Sequence, residues 1–143
     1  MRKAIIAAGV AASSLTIAIA AGAATNATTK LEAQLRGANE GAPASNRGKT
    51  EIRLTPSTGR VCWETTIAKI DGRANASHIH KGRRGVAGNV VVSLGAGFKR
   101  QGCTSASKTL VRAIVRNPGA YYVNVHNAKH PAGAMRGQLT RGT

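Results

Sequence analysis

A chain of 143 residues with 21 Lys and Arg against 5 Asp and Glu has a formal net charge of +16 and little material for paired-carboxylate catalysis. One Trp, two Tyr and one Phe give few platforms on which bases could stack. With no nucleic-acid module signature either, specific nucleic-acid binding is not expected.

Arg2 and Lys3 precede an apolar stretch, residues 4–20, broken only by Ser13, Ser14 and Thr16. Ala21, Gly22 and Ala23 supply the small residues of a cleavage signal. Residues 1–23 therefore read as a secretory signal peptide, cut after Ala20, Ala23 or Ala24, and residues 24–29 as a polar linker. The competing reading is an uncleaved anchor, but the Ala- and Gly-rich stretch is weakly hydrophobic for a bilayer span. No later segment is apolar enough to cross a membrane. Residues 30–143 are thus expected to form one exported domain, secreted or held at the cell surface. Without Arg2 and Lys3 there remain 19 Lys and Arg against 5 acids, a net +14, spread from Lys30 to Arg141. Such a field favours an anionic cell-surface polymer or an extracellular protein as partner. A basic surface that is simply solvated explains the charge equally well.

Residues 30–35 have the contrast of a first strand, and residues 50–55 alternate with Ile52 and Leu54 inward. Pro56 and Gly59 bound a turn. Residues 60–70 are the longest strand candidate, with Val61, Trp63, Thr65 and Ile67 on one parity and Cys62, Glu64 and Thr66 on the other. Asp71 and Gly72 break it. Residues 75–80 and 90–94 follow as strands joined by a Gly-rich loop, and Val90, Val91 and Val92 read as buried on both faces. Cys103 falls in a loop or short strand. Leu110, Val111, Ile114 and Val115 repeat at helical spacing and predict a helix over residues 108–116, stopped by Asn117, Pro118 and Gly119. Residues 121–126 and 134–140 are the last strands. Seven or eight short strands between turn signals predict an all-β Greek-key sandwich or barrel. Two cysteines without CxxC spacing in an exported chain read as one disulfide, Cys62 to Cys103. Its loop of about 40 residues implies a stabilisation of about 3–4 kcal/mol in the chain-entropy picture.

The chemistry concentrates in histidines. His78 and His80 share one face of their strand, and Asn124 and His126 share one face of theirs. If the strands meet, three imidazoles converge. They form either a copper or zinc site with an open position, or a polar brace that fixes strand register, or a patch that recognises a ligand. In the bracing reading His78 and His126 bond backbone or Asn124, and His80 caps the Gly-rich loop. His130, beside Pro131 in an exposed loop, is an outside candidate for a fourth ligand. Arg83 and Arg84, at the tip of the Gly-rich loop, are candidate anion or partner contacts together with Arg136. Gly82, Gly85 and Gly88 follow a strand but open no helix, so they match neither a P-loop nor a dinucleotide fingerprint and read as turn glycines with positive φ. Ser77, His78 and Asp71 have the residue types of a triad, but closeness in sequence is not triad geometry. No catalytic residue is assigned.

Four segments together resemble the CHRD (chordin-type) domain family. They are Ala76 to Gly82, with its His78-Ile79-His80; Gly85 to Leu94; Asn117 to His126, reading NPGAYYVNVH; and His130 to Leu139, reading HPAGAMRGQL. The pair Val61-Cys62-Trp63 and Gly102-Cys103 resembles the bacterial, disulfide-bearing branch. The similarity spans about residues 30–140. It implies an extracellular all-β domain and no particular activity. The basic field is read instead as that of a non-enzymatic extracellular binding or structural module, with a copper- or zinc-binding protein as the alternative. A more distant likeness is to the copper-zinc superoxide dismutases, Greek-key barrels in which an HxH strand, a Val-His strand and an arginine follow in the order of His78, His80, His126 and Arg136. No histidine lies between His80 and His126, so the bridging ligand and zinc cluster of those enzymes have no counterpart here. That likeness implies shared topology rather than shared catalysis.

Overall fold

Apolar residues at every second position bury one face of a strand and leave the other to water. Leu31, Ala33 and Leu35 do so in β1 (Thr29–Arg36), Ile52 and Leu54 in β2 (Arg47–Thr55), and Val61 and Trp63 in β3 (Arg60–Lys69). The computed structural model describes residues 26–142, so the expected signal peptide lies outside the described residues. The remaining strands are β4 (Ala74–Lys81), β5 (Val90–Ser93), β6 (Gln101–Ser105), β7 (Tyr121–Asn127) and β8 (Met135–Arg141). All eight pair antiparallel in one nearly closed, barrel-like sheet of order β5-β4-β7-β8-β1-β2-β3-β6. The connections from β3 to β4, from β5 to β6 and from β6 to β7 cross between distant parts of the sheet, as a Greek key requires. The core lies inside, built from Leu31, Leu35, Ile52, Leu54, Ile79, Val123, Val125, Met135 and Leu139 among others. Its buried polar pair, Thr50 and Thr65, face each other across β2 and β3 and bond at 2.9 Å, so neither hydroxyl is stranded.

The helix α1 (Lys108–Arg116) occupies the expected span. Ser107 caps it by accepting from the Leu110 N–H at 3.1 Å, and Val111 and Ile114 face the core. It lies between β6 and β7. Cys62 and Cys103 are directly opposite in β3 and β6 and form the disulfide.

Two expectations need correction. Strand β2 begins at Arg47 rather than at residue 50. Of the loop or short strand expected at Cys103, the structure has the short strand, β6, admitted because Gly102 leaves room for the Trp63 ring; a Cβ there would come within 2.7 Å of it. Val90 is not buried: β5 is an edge strand, and Val90 is 50% exposed against 5% for Val92.

Candidate metal centre

The core-facing residues of β4 and β7 are Ser77, Ile79, Val123 and Val125, so His78, His80, Tyr122, Asn124 and His126 stand on the outer face of the barrel. Pairing of β4 with β7 puts His78 opposite Asn124 and His80 opposite Tyr122, with His126 opposite Ala76. His78 and His126 are then diagonal neighbours, a separation that ring side chains bridge. His78 Nδ1 lies 3.1 Å from His126 Nε2, and one ligand atom from each of His78, His80 and His126 falls within 4.8 Å of the others.

Two loops cover this face. The loop of residues 82–89 folds back over β4, bringing the Gly88 carbonyl to 2.8 Å from His80 Nδ1 and the Gly88 N–H to 3.1 Å from the Tyr122 hydroxyl. The loop of residues 128–134 brings the Pro131 carbonyl to 2.9 Å from His126 Nδ1 and the Ala132 carbonyl to 3.2 Å from the Asn124 amide. A carbonyl only accepts, so His80 and His126 both carry their proton on Nδ1 and present a bare Nε2. The His80 Nε2 is buried and has no hydrogen-bond partner. The Tyr122 ring stacks on His80 at 4.9 Å and also carries the Arg136 guanidinium at 4.8 Å. Burial is the main force holding the His78 and His126 imidazoles below their ordinary range, so both rings are kept neutral. Neighbouring imidazoles add to this in both, while the Pro131 bond works the other way in His126.

His130 stands apart from this group. It is half-buried rather than exposed, because its Nε2 lies 2.9 Å from Asp71 Oδ2. Asn46 donates to the other Asp71 oxygen at 2.6 Å, and Asn127 Oδ1 accepts from the His130 N–H at 2.8 Å. This set ties the loop of residues 128–134 to the end of β3. Asp71 therefore does not serve His78, and Ser77 points into the core, so no triad forms. Arg136 pairs with Glu40 at 3.2 Å, while Arg83 and Arg84 are exposed on the Gly-rich loop. Of the three loop glycines only Gly85 has positive φ, 78°. Gly82 and Gly88 are needed for close approach: a Cβ on Gly88 would overlap the Lys81 carbonyl and one on Gly82 would meet the Val86 carbonyl at 2.9 Å.

The residues that complete the centre and that a strand reading passes over are Tyr122, on the same parity as Asn124 and His126, and the carbonyls of Gly88 and Pro131. Parity alone points to Tyr122; the carbonyls have no side-chain signal. Among the described residues, no helix is long and apolar enough to cross a membrane. No curated protein and no solved structure matches the chain. The profile of the CHRD domain matches residues 31–139, from the first buried residue of β1 to the last buried residue of β8. The match takes in the whole barrel, both site loops and the disulfide, and the chain belongs to the CHRD domain family.

Proposed function

We propose that this protein is an exported CHRD-domain module that binds one copper or zinc ion through His78, His80 and His126. Membership of the family supports a binding or structural module, and the basic, apolar, small-residue order of residues 2–23 supports export. The observation that carries the metal reading is the buried His80 Nε2, which has no hydrogen-bond partner and lies in a group of three imidazole ligand atoms within 4.8 Å of one another. A buried polar atom without a partner costs about 1–3 kcal/mol, and a pure brace has no reason to retain it.

The surrounding bonds fit a ligand role. Metal-bound imidazoles commonly donate their other N–H to a carbonyl or carboxylate, which fixes the tautomer and the ring plane. His80 and His126 are held in this way by Gly88 and Pro131. His78 donates to His126 Nε2 and joins an ion by moving that proton to its own Nε2 or by turning its ring. Three imidazoles suit a borderline or soft divalent ion and leave a position for water or an outside ligand.

The test is uptake of Cu(II) and of Zn(II), each supplied alone, by purified protein dialysed against a weak chelator. About one ion per chain at neutral pH is expected for at least one of the two metals. His80→Ala should abolish uptake and His130→Ala should leave it unchanged. Equal metal content in wild type and His80→Ala would return the three histidines to the bracing role.

A further inference from the structure

Pairing register lines up a row of cations on the outer face. Lys69 of β3 is opposite Arg47 of β2, Arg47 opposite Arg36 of β1, and Arg36 opposite Arg136 of β8. Neighbouring strands lie about 4.8 Å apart, so the row crosses roughly 14 Å of sheet. Like charges directly opposite one another are destabilising, and a sheet normally answers them with acids. Here three of the five acids are engaged elsewhere, and a fourth, Glu64, lies opposite Glu51 and makes no ion pair among the described residues. Glu32 and Glu51 bind Lys30 and Lys49, and Asp71 binds His130. Glu40 neutralises only the last member, Arg136. Among the described residues, Arg36 and Arg47 have no acidic partner within ion-pair distance.

Three cavities follow this row and share walls. The first, of about 220 Å³, is bounded by Arg36, Arg47 and Gln34. The second, of about 300 Å³, keeps Arg36 and Gln34 and adds Asn39, Arg84 and Gln138. The third, of about 260 Å³, keeps Asn39, Arg84 and Gln138 and adds Arg136. Together they form one groove across β2, β1 and β8 with Arg84 of the Gly-rich loop at its wall. Neither a carboxylate nor an aromatic ring lines any part of it.

We infer that this groove binds a linear acidic polysaccharide, its carboxylate or sulfate groups meeting Arg36, Arg47 and Arg84. The series of guanidiniums at strand spacing suits a ligand with repeating anionic groups, which Arg grips through paired N–H donors. The interleaved amides of Gln34, Asn39 and Gln138 suit the hydroxyls between such groups, since an amide both donates and accepts. Single-stranded nucleic acid is the other linear polyanion, and it draws much of its affinity from base stacking. A groove without an aromatic ring does not supply that. None of the three histidines lines the groove, so the proposal does not rest on their binding metal. It includes Arg84 and Arg136 of the arginines singled out in the sequence and adds Arg36 and Arg47.

The probes are polygalacturonate for carboxylate, dextran sulfate for sulfate, neutral dextran, and an oligothymidylate of matched charge. Binding to the full chain is measured at about 50 and 150 mM salt, where screening weakens exposed contacts. Wild type should bind one or both acidic polysaccharides, more weakly at the higher salt, and should ignore neutral dextran. Arg36→Gln with Arg84→Gln should weaken binding roughly tenfold or more, as loss of charge-assisted bonds predicts. Arg47→Gln alone should weaken it several-fold. Arg112→Gln with Arg116→Gln, which removes two exposed charges from α1, should change it less than about twofold. Equal losses in the two double variants would show that net charge alone is at work and overturn the groove. Oligothymidylate bound as tightly as the polysaccharides, or no binding to either acidic polysaccharide, would overturn the ligand class.

Discussion

His78 Nδ1 lies 3.1 Å from His126 Nε2, and His126 has its own Nδ1 committed to the Pro131 carbonyl 2.9 Å away. The direction of both bonds follows. His126 donates to Pro131, so its Nε2 must accept, and His78 is the donor. Protonating His126 at Nε2 would set its new N–H against that of His78, and protonating both rings would place two charges side by side. Burial disfavours the charged ring further, and both imidazoles titrate below their ordinary range.

A pH dependence with a definite sign results. With the folded-state values lowered, the unfolded chain binds more protons once the pH falls below about 6.5, so stability is full above that value and declines as pH falls through the lowered values. A bound ion adds to the effect, because only neutral imidazole is a ligand, and it should leave as pH drops below about 6. Urea midpoints measured from pH 7.5 to 4.5, with and without zinc or copper, should show a metal-dependent increment at pH 7.5 that has vanished by pH 5. An increment of the same size at both pH values would count against the three-histidine site.

The Gly-rich loop should control affinity through one backbone contact. A Cβ on Gly88 would overlap the Lys81 carbonyl, so Gly88→Ala must lift the loop and withdraw the carbonyl that orients His80. Loss of such a supporting bond lowers metal affinity by about 10- to 100-fold. Gly85→Ala is the contrast. Nothing lies within 4 Å of its added methyl, and only the left-handed backbone, φ 78°, is strained. It should destabilise the fold by about 1 kcal/mol and leave metal affinity as it was. Competition titration against a chromogenic chelator separates the two, and similar affinities in both variants would remove the loop from the site.

Asp71 gives a second, independent pH signature. Hydrogen bonds from Asn46 and His130 hold its carboxyl down at about 2, against an ordinary value of 3.8. The stability from this depressed value is present above pH 3.8 and is lost as pH falls through about 2. The contacts tie the loop bearing Pro131 to the end of β3, so the loss should begin locally. Thermal midpoints of wild type should fall more steeply between pH 4 and 2 than those of Asp71→Asn. Parallel profiles would mean that the latch carries no stability.

How far the sequence reaches is clear from particular residues. Parity along single strands turns Ile52 and Leu54 inward, and puts His78 with His80 and Asn124 with His126. Helical spacing reveals α1 to the residue. What parity does not carry is which strands become neighbours. The β4–β7 pairing that gathers the histidines joins residues 40 or more apart in sequence, with β5, β6 and α1 between them. The Arg47–Arg36–Arg136 row likewise exists only once register is set. Strand β6 is hidden because Gln101-Gly102-Cys103 shows no apolar alternation; its place depends on a glycine that makes room for Trp63 from another strand. Val90 misleads because a run of three valines looks the same at a sheet edge and at its centre.

The disulfide should matter for stability and not for the metal. Cys62 and Cys103 join β3 to the edge strand β6, with a sequence separation of 41. Closing a loop of that length limits the unfolded chain and stabilises the fold by about 3–4 kcal/mol. The edge strand has only five residues, so its pairing has few other supports. The histidines take their register from β4 and β7, which pair with each other and not with β3 or β6. Cys62→Ser with Cys103→Ser should therefore lower the urea-derived stability by about 3–4 kcal/mol. At low temperature, where the folded form still dominates, it should retain the wild-type metal stoichiometry. Loss of metal from a folded double variant, with its β-sheet circular dichroism intact, would show that the β3–β6 edge supports the histidine centre after all.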